Sequence, residues 1–572
     1  MEIMWGDIFL VCILSVVSSG VHFFYFGAVN FNMLKYYLPY IGSLHFLVFW
    51  GFSLTASTAL LLAIRLIPLV GHILWWGIWG GLTVSVQLYY SVMKKLPTAA
   101  DLHSLFTCSL GVTKGTVLPL LSPWAVIRGV FPTLLIVVVS LAGTRALSLG
   151  GGGILEGTLP ARAHVFLALL AVGIFFLYNW RPLGHQFAVD AMGYALNLLR
   201  DYLQERRYYA IPRQAYAGPA RHTPQDNILL VLDESVRGDY ISINNPLLDT
   251  TPKLEGYLRD YPENFLNYGL MLASGTYSFL PRNVLLTGVA EMPDTRLTSQ
   301  TNPTLFQIAK GNGYRTMFLN LWGANLPDVV FRKEDIDTVD ELYAGFQEFS
   351  DDILSADFKA AEYLNERFRR EKGLFVFLMP RGIHSPYEEQ YPDAQEHCHY
   401  APRMKRGEWY SPQKRREHVN SFKNAVRYHV DGFFEALLGK DPELLKCCTV
   451  FWTSDHGQSL MEDGQLESHG SKYLEQALVP FLIFSTEPWV MARIRKPVLG
   501  TLSHMNINPT VRSLLERVED RSAGAYRSLF SPGPWSYPPL GYIGGGSLWK
   551  ESPQNVVSVN GQLVLRTEKY LY

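Results

Sequence analysis

The chain has almost no charge imbalance: 50 Lys and Arg face 51 Asp and Glu in 572 residues, for a formal net charge of −1. That excludes a protein held to nucleic acid by a bulk positive field. Long acidic or basic tails are missing too, as are internal repeats, which excludes interaction tails and solenoid arrays. The most telling shortage is local. Roughly the first 180 residues are nearly free of acids, whereas the remainder has the mixed composition of a globular enzyme.

That acid-poor part contains five apolar runs. Ile8–Ala28, Leu44–Ile64 and Val70–Val92 carry no charge, Pro123–Gly143 carries Arg128 near one end, and Ala163–Trp180 is bounded by Arg162 and Arg181. Each is close to the ~20 residues that cross a bilayer core. A signal peptide has one short apolar segment, not five. The expected organisation is therefore a multi-pass α-helical membrane domain over 1–182, a connector over 183–226 and a catalytic domain over 227–572. Within the connector, Val189, Met192, Leu196, Leu199 and Leu203 recur at helical spacing opposite Arg200, Arg206 and Arg207. This suits a helix on a membrane surface or packed on the domain that follows. Pro212, Gly218, Pro219 and Pro224 then mark a linker. Lys and Arg are split between the loops on both sides, so charge bias alone does not orient the spans.

From residue 227 short apolar, β-branched runs alternate with helical patterns. Strands are expected at Asn227–Leu232, Tyr314–Leu321, Leu374–Leu378, Thr449–Trp452 and Val479–Phe484, helices at Ser355–Arg370 and Phe422–Leu438, and a final hairpin at Asn555–Tyr572 turning at Asn560-Gly561. The alternation predicts an α/β domain with a mostly parallel sheet. Three strand runs end in polar residues: Asp233, Glu234 and Ser235; Asp455 and His456; and His384. In an open α/β sheet ligands bind beyond the carboxyl ends of the strands, so these segments converge on one edge.

Glu234, Asp455 and His456 are oxygen and imidazole donors suited to Zn²⁺, with Asp233 competing for the first position. A fourth ligand that doubles as nucleophile is offered by SGTYSFLPRNVLLTG, Ser274–Gly288. Its hydroxyls precede a helix-like run, where the helix field favours anions. Zinc beside such a hydroxyl lowers its pKa and activates it.

These segments carry a family resemblance. TSDHGQSLMEDGQLESHG (Thr453–Gly470), LDESVRGDY with TTPKL (Thr250–Leu254) downstream, Thr276 with Pro281 five residues on, and GIHSPYEEQYP (Gly382–Pro392) occur in the order found in phosphoethanolamine transferases of the alkaline phosphatase and sulfatase superfamily, including those that modify lipid A. The resemblance spans nearly the whole chain. It implies a sulfatase-like, alkaline phosphatase-like fold and a zinc set of Glu234, Thr276, Asp455 and His456. It also implies phosphorylation of Thr276, with help at the phosphoryl group from His384 and His469. Reading SFLPRNVLLTG against the sulfatase pattern CxPxRxxLLTG would instead make Ser278 the nucleophile, though the proline does not match in that register. Arg237 and Asp239 follow Glu234 as structural supports. His397, His399, His418, His429 and His504 are read as ordinary core or surface residues.

Two departures stand out. Met379 replaces a histidine that the family often has, and the domain holds only Cys398, Cys447 and Cys448 where relatives carry several disulfides. Adjacent cysteines rarely bond each other, so at most one bridge is expected, Cys398 with Cys447 or Cys448.

The implied reaction moves phosphoethanolamine from phosphatidylethanolamine to an envelope acceptor such as lipid A or a glycan, with no nucleic acid involved. The same chemistry orients the chain, with its N-terminus inside and its catalytic domain on the periplasmic face of the inner membrane. Alternatives of the same superfamily are a phosphoglycerol transferase and a sulfatase- or phosphatase-type hydrolase. A membrane scaffold without turnover would have lost a ligand position.

Overall fold

The computed structural model describes residues 212–218, 223–289, 301–322, 331–408, 410–442, 445, 447–464, 468–496, 500–518, 526–531, 540–543, 553–559 and 562–565. The five expected spans and the amphipathic connector helix lie outside these residues. Among the described residues no helix is long and apolar enough to cross a membrane.

A seven-stranded mixed sheet organises the domain. Its strands are β1 (Asn227–Asp233), β2 (Phe265–Leu272), β3 (Arg315–Asn320), β4 (Glu341–Ala344), β5 (Leu374–Met379), β6 (Cys448–Ser454) and β7 (Leu478–Ser485), in the order β2-β7-β6-β1-β5-β3-β4. Neighbours from β6 to β4 pair in parallel, and β7 runs antiparallel to both β6 and β2. All five expected strands form, within a residue or two at each end. β1, β5 and β6 are buried along their whole length. Central parallel strands are covered on both faces, which is why they read as unbroken apolar runs such as NILLVL and LFVFLM.

On one face Leu229, Val231, Val376, Leu378 and Trp452 pack with Leu364, Phe368, Phe422, Val430, Phe434 and Leu438. The helices that supply them are α2 (Ala356–Arg370), α3 (Arg415–Val426) and α4 (Gly432–Leu438), as the helical patterns expected. α3 and α4 are joined by one π-helical stretch, Arg427–Asp431. Near the C-terminus β8 (Leu540–Ile543), β9 (Pro553–Val559) and β10 (Gln562–Leu565) form a separate antiparallel sheet. Val559 pairs with Gln562, the register that the expected hairpin requires.

The parallel pairing of β1 with β6 positions the chemistry. Asp233 lies opposite Ser454, so both strands end at the same level. Residues 234–235 and 455–456 therefore emerge side by side at the carboxyl edge.

Candidate metal centre and active site

The two strand ends are fastened to each other before any ligand is considered. The Asp455 amide donates to the Asp233 carbonyl at 2.8 Å. The Val236 amide donates to Ser454 Oγ at 2.7 Å. Ser235 adopts a left-handed backbone (φ 65°), a strained conformation for a residue with a side chain. Its amide donates to Asp455 Oδ1 at 2.9 Å and its hydroxyl to Glu234 Oε1 at 2.7 Å. Arg237 ties the loops further out: its guanidinium holds Asp239 at 2.7 Å, Glu462 at 2.6 Å and the Gln458 carbonyl at 3.1 Å. Gly457 is required by close approach, since a Cβ there would stand 2.3 Å from the Glu475 carbonyl.

Glu234, Asp455 and His456 are all buried, and each offers a ligand atom within 4.8 Å of the others. His456 Nε2 stands 3.5 Å from Asp455 Oδ2 and 3.8 Å from Glu234 Oε1. Donors roughly 2.0–2.1 Å from a tetrahedral zinc sit about 3.3–3.4 Å apart, so the set is close to that size. Asp455 Oδ2 is buried without a hydrogen-bond partner. The Gly457 carbonyl lies 2.8 Å from His456 Nδ1 and can only accept, so Nδ1 carries the proton and Nε2 turns its lone pair to the cluster. Burial first, then repulsion from Asp455, holds the Glu234 carboxyl well above the ordinary range. An orphaned carboxylate oxygen, an oriented imidazole and a second acid under pressure to shed its charge fit a divalent cation.

Asp233, the sequence competitor, plays another part. Its Oδ1 accepts the Glu234 amide at 2.9 Å and its Oδ2 the Trp452 indole N–H at 3.0 Å. Both oxygens are engaged, and burial pushes its pKa up to about 7. Glu234 is the acid that meets Asp455 and His456.

The nucleophile segment is more instructive. Helix α1 (Phe279–Thr287) starts just after Ser278, with Pro281 in its first turn, where a missing amide costs little. Thr276 is buried, and its hydroxyl donates to the Ser471 carbonyl at 3.0 Å. An alkoxide there would face that carbonyl's lone pairs. Ser278 occupies the N-cap position without making a side-chain cap bond, and its Oγ lies 3.4 Å from His456 Nε2. That separation is again close to a tetrahedral edge. Within the expected nucleophile segment, the hydroxyl in contact with a ligand atom is that of Ser278, whereas the sequence favours Thr276. The signal for Ser278 was present in the CxPxRxxLLTG register.

His469 and His384 extend from the cluster as a row of rings. His456 stacks on His469 at 4.6 Å, and His469 meets His384 at 5.9 Å. The Ser385 carbonyl lies 2.7 Å from His384 Nδ1, so His384 also presents an unprotonated Nε2. Burial lowers its pKa to about 4. Near neutrality the His384 imidazole is therefore uncharged, with the Nε2 lone pair free.

Of the histidines read as ordinary residues, only His504 stands next to the ligand cluster, with its Nε2 3.4 Å from Thr453 Oγ1. Buried His504 takes the Ser274 amide on Nδ1 at 3.2 Å, His399 pairs with Asp249 at 3.2 Å, and His418 packs between Tyr387 and Tyr410. His397 packs edge-on to Tyr428, and buried His429 stands beside Asp357. Cys398, Cys447 and Cys448 are free, so the bridge allowed by the sequence is not formed.

The model of the sulfatase family matches residues 226–516, just over half of the chain. The chain belongs to the sulfatase family. Among solved structures, this sulfatase-family chain is similar to the integral membrane lipooligosaccharide phosphoethanolamine transferase A (EptA) of Neisseria meningitidis. The identity is 18%, with 89% of this chain and 95% of that chain covered and a TM-score of 0.57. A second similar structure is the C-terminal periplasmic domain of EptC from Escherichia coli in complex with Zn. There the identity is 18%, with 59% of this chain and 95% of that one covered and a TM-score of 0.46. A search of curated proteins returns no match.

Proposed function

We propose that this sulfatase-family chain is a zinc-dependent phosphotransferase of the inner membrane. It moves phosphoethanolamine from phosphatidylethanolamine to an envelope acceptor, a lipid or a glycan, on the periplasmic side. The observation that carries the reading is the cluster of Glu234 Oε1, Asp455 Oδ2, His456 Nε2 and Ser278 Oγ, whose separations from His456 Nε2 are 3.4–3.8 Å. Similarity in fold to an integral membrane phosphoethanolamine transferase supports the head group and the location. The five apolar runs support a membrane donor.

Zinc held by Glu234, Asp455 and His456 supplies charge stabilisation for the phosphoryl oxygens and lowers the pKa of a neighbouring hydroxyl. The chain supplies the rest. Ser278 Oγ, at the N-terminus of α1, attacks phosphorus, its proton passing to the unprotonated Nε2 of His384 directly or through water. The bond from phosphorus to the diacylglycerol oxygen breaks, and that oxygen takes a proton from His469. An acceptor hydroxyl then attacks the phosphoserine, its proton passing to His469, and the bond from phosphorus to Ser278 breaks as Ser278 takes back the proton held on His384. This is two-step covalent catalysis.

Thr276 is the second reading, favoured by its spacing to Pro281. Mass spectrometry of the purified chain after exposure to zinc and phosphatidylethanolamine separates the two. Phosphoethanolamine on Ser278, lost in Ser278→Ala and retained in Thr276→Ala, is the expected result. Modification mapped to Thr276 reverses the assignment, and unmodified protein removes the transferase reading. Labelled phosphatidylglycerol in a parallel arm tests the phosphoglycerol alternative.

A further inference from the structure

Glu234 is seated from beneath by a turn whose anchor lies in no segment so far assigned to the chemistry. After β5 the chain turns through Arg381, Gly382 and Ile383 to His384. The Ile383 amide donates to the Glu234 carbonyl at 3.1 Å. Gly382 has a φ of 57°, and a Cβ there would lie 2.7 Å from Asp233 Oδ1, 2.7 Å from the Glu234 carbonyl oxygen and 2.9 Å from Glu234 Cβ. The turn therefore lies flat against the backbone and stem of Glu234, and it also sets where His384 begins.

The anchor is Asp357, in the first turn of α2 and 2% exposed. Its Oδ1 accepts the Arg381 amide at 2.9 Å and its Oδ2 the Gly382 amide at 3.0 Å. Two consecutive amides on two oxygens of one carboxylate fix both the position and the tilt of a turn. Behind Asp357 stands His429, 4% exposed, with Nδ1 3.3 Å from Asp357 Oδ2. His429 sits in the π-helical stretch Arg427–Asp431, a local irregularity that recurs at functional sites.

We propose that Asp357 and His429 are positioning residues for the metal centre: Asp357 clamps the Arg381–His384 turn against Glu234, and His429, whose ring nitrogens make no hydrogen bond among the described residues, backs the Asp357 carboxylate by close packing. The proposal rests on the metal-site reading above. Groups that orient metal ligands without touching the ion typically carry about 10–100-fold in metal affinity or activity.

The test uses full-length protein in detergent, with Co²⁺ as a spectroscopic stand-in for zinc. Asp357→Ala is compared with Asp226→Ala, which removes an equally buried carboxylate at the opposite end of β1. Asp357→Ala is expected to weaken Co²⁺ binding by about tenfold or more and to alter the visible d–d bands. Asp357→Asn, which keeps volume and one acceptor, recovers part of that loss, and His429→Gln shows a smaller change of the same kind. Asp226→Ala lowers the melting temperature and leaves the bands unchanged. Should Asp357→Ala fail to fold, Asp357→Asn carries the same comparison. Wild-type bands and affinity in the Asp357 variants, with only a melting shift, overturn the clamp. Failure of the wild-type chain to bind Co²⁺ overturns the metal reading itself, and the clamp with it.

Discussion

β1 is flanked by buried acids, Asp226 just before it and Asp233 and Glu234 at its far end, and its two ends treat them in opposite ways. At the amino end Asp226 is tied down: its Oδ1 accepts from the Tyr314 hydroxyl at 2.9 Å and from Arg517 at 3.0 Å, and its carbonyl takes the Gly373 amide. Neighbouring Asn227 bonds the Glu371 carbonyl and the Leu374 amide. At the carboxyl end Ser235 is strained, Asp455 Oδ2 is orphaned, and Asp233 and Glu234 are pushed toward their protonated forms. Buried polar groups are normally satisfied, so an end that leaves them unsatisfied gives up stability for something else. The amino end holds the sheet together, and the carboxyl end holds acids ready for a cation.

The hardest test of that contrast is Asp455→Asn. Metal-assisted chemistry is worth several kcal/mol, so transfer activity should fall by about a thousandfold or more. The metal-free variant should nonetheless melt higher than the wild type, because repulsion with Glu234 is relieved. A lower melting temperature in differential scanning calorimetry would mean that Asp455 is a structural acid like Asp226.

Gly382→Ala comes next. A Cβ forced against Asp233 and Glu234, on a left-handed backbone, should lower activity by about 10–100-fold and cost roughly 2–4 kcal/mol in urea unfolding. An unchanged turnover rate would show that the turn can shift without disturbing Glu234.

Glu388 extends the comparison along the loop after β5. It is buried, one oxygen accepts from the Tyr410 hydroxyl at 3.2 Å, and burial pushes its pKa up to about 7. The folded chain keeps the proton longer than the unfolded chain. The stability from burying the neutral acid is complete below about pH 4.5 and is lost as pH rises through about 7, on the order of 3 kcal/mol in all. Glu388→Gln should flatten that part of the stability profile between pH 5 and 7. An unaltered profile would assign the slope to other groups.

The smallest effect is expected at the amino end. Asp226→Asn should cost about 1–3 kcal/mol with the turnover rate unchanged. A changed turnover rate would dissolve the distinction between the two ends.

The part of this arrangement that could be read from sequence is the part that parallel strands enforce. NILLVLDES and TVFWTSDHG are two apolar runs ending in acids and histidine, and adjacent parallel strands bring such ends together without further information. β2 was not legible: NYGLML lacks alternation because the register shifts between Asn267 and Leu270, with Gly269 at positive φ between them. β4, four residues at the sheet edge, is too short to show a pattern. The choice of Ser278 over Thr276 depends on where α1 starts, and helix starts are poorly defined by propensity. Asp357 and His429 gave no signal, because their role exists only once α2 and the π-helical stretch pack against the turn after β5.

The most direct test of the central claim is a crystal structure of the zinc-loaded catalytic domain, with anomalous scattering recorded at the zinc edge. The account expects one ion within about 2.0–2.2 Å of Glu234, Asp455 Oδ2, His456 Nε2 and Ser278 Oγ. An ion bound elsewhere, or these four side chains free of metal at saturating zinc, would contradict it.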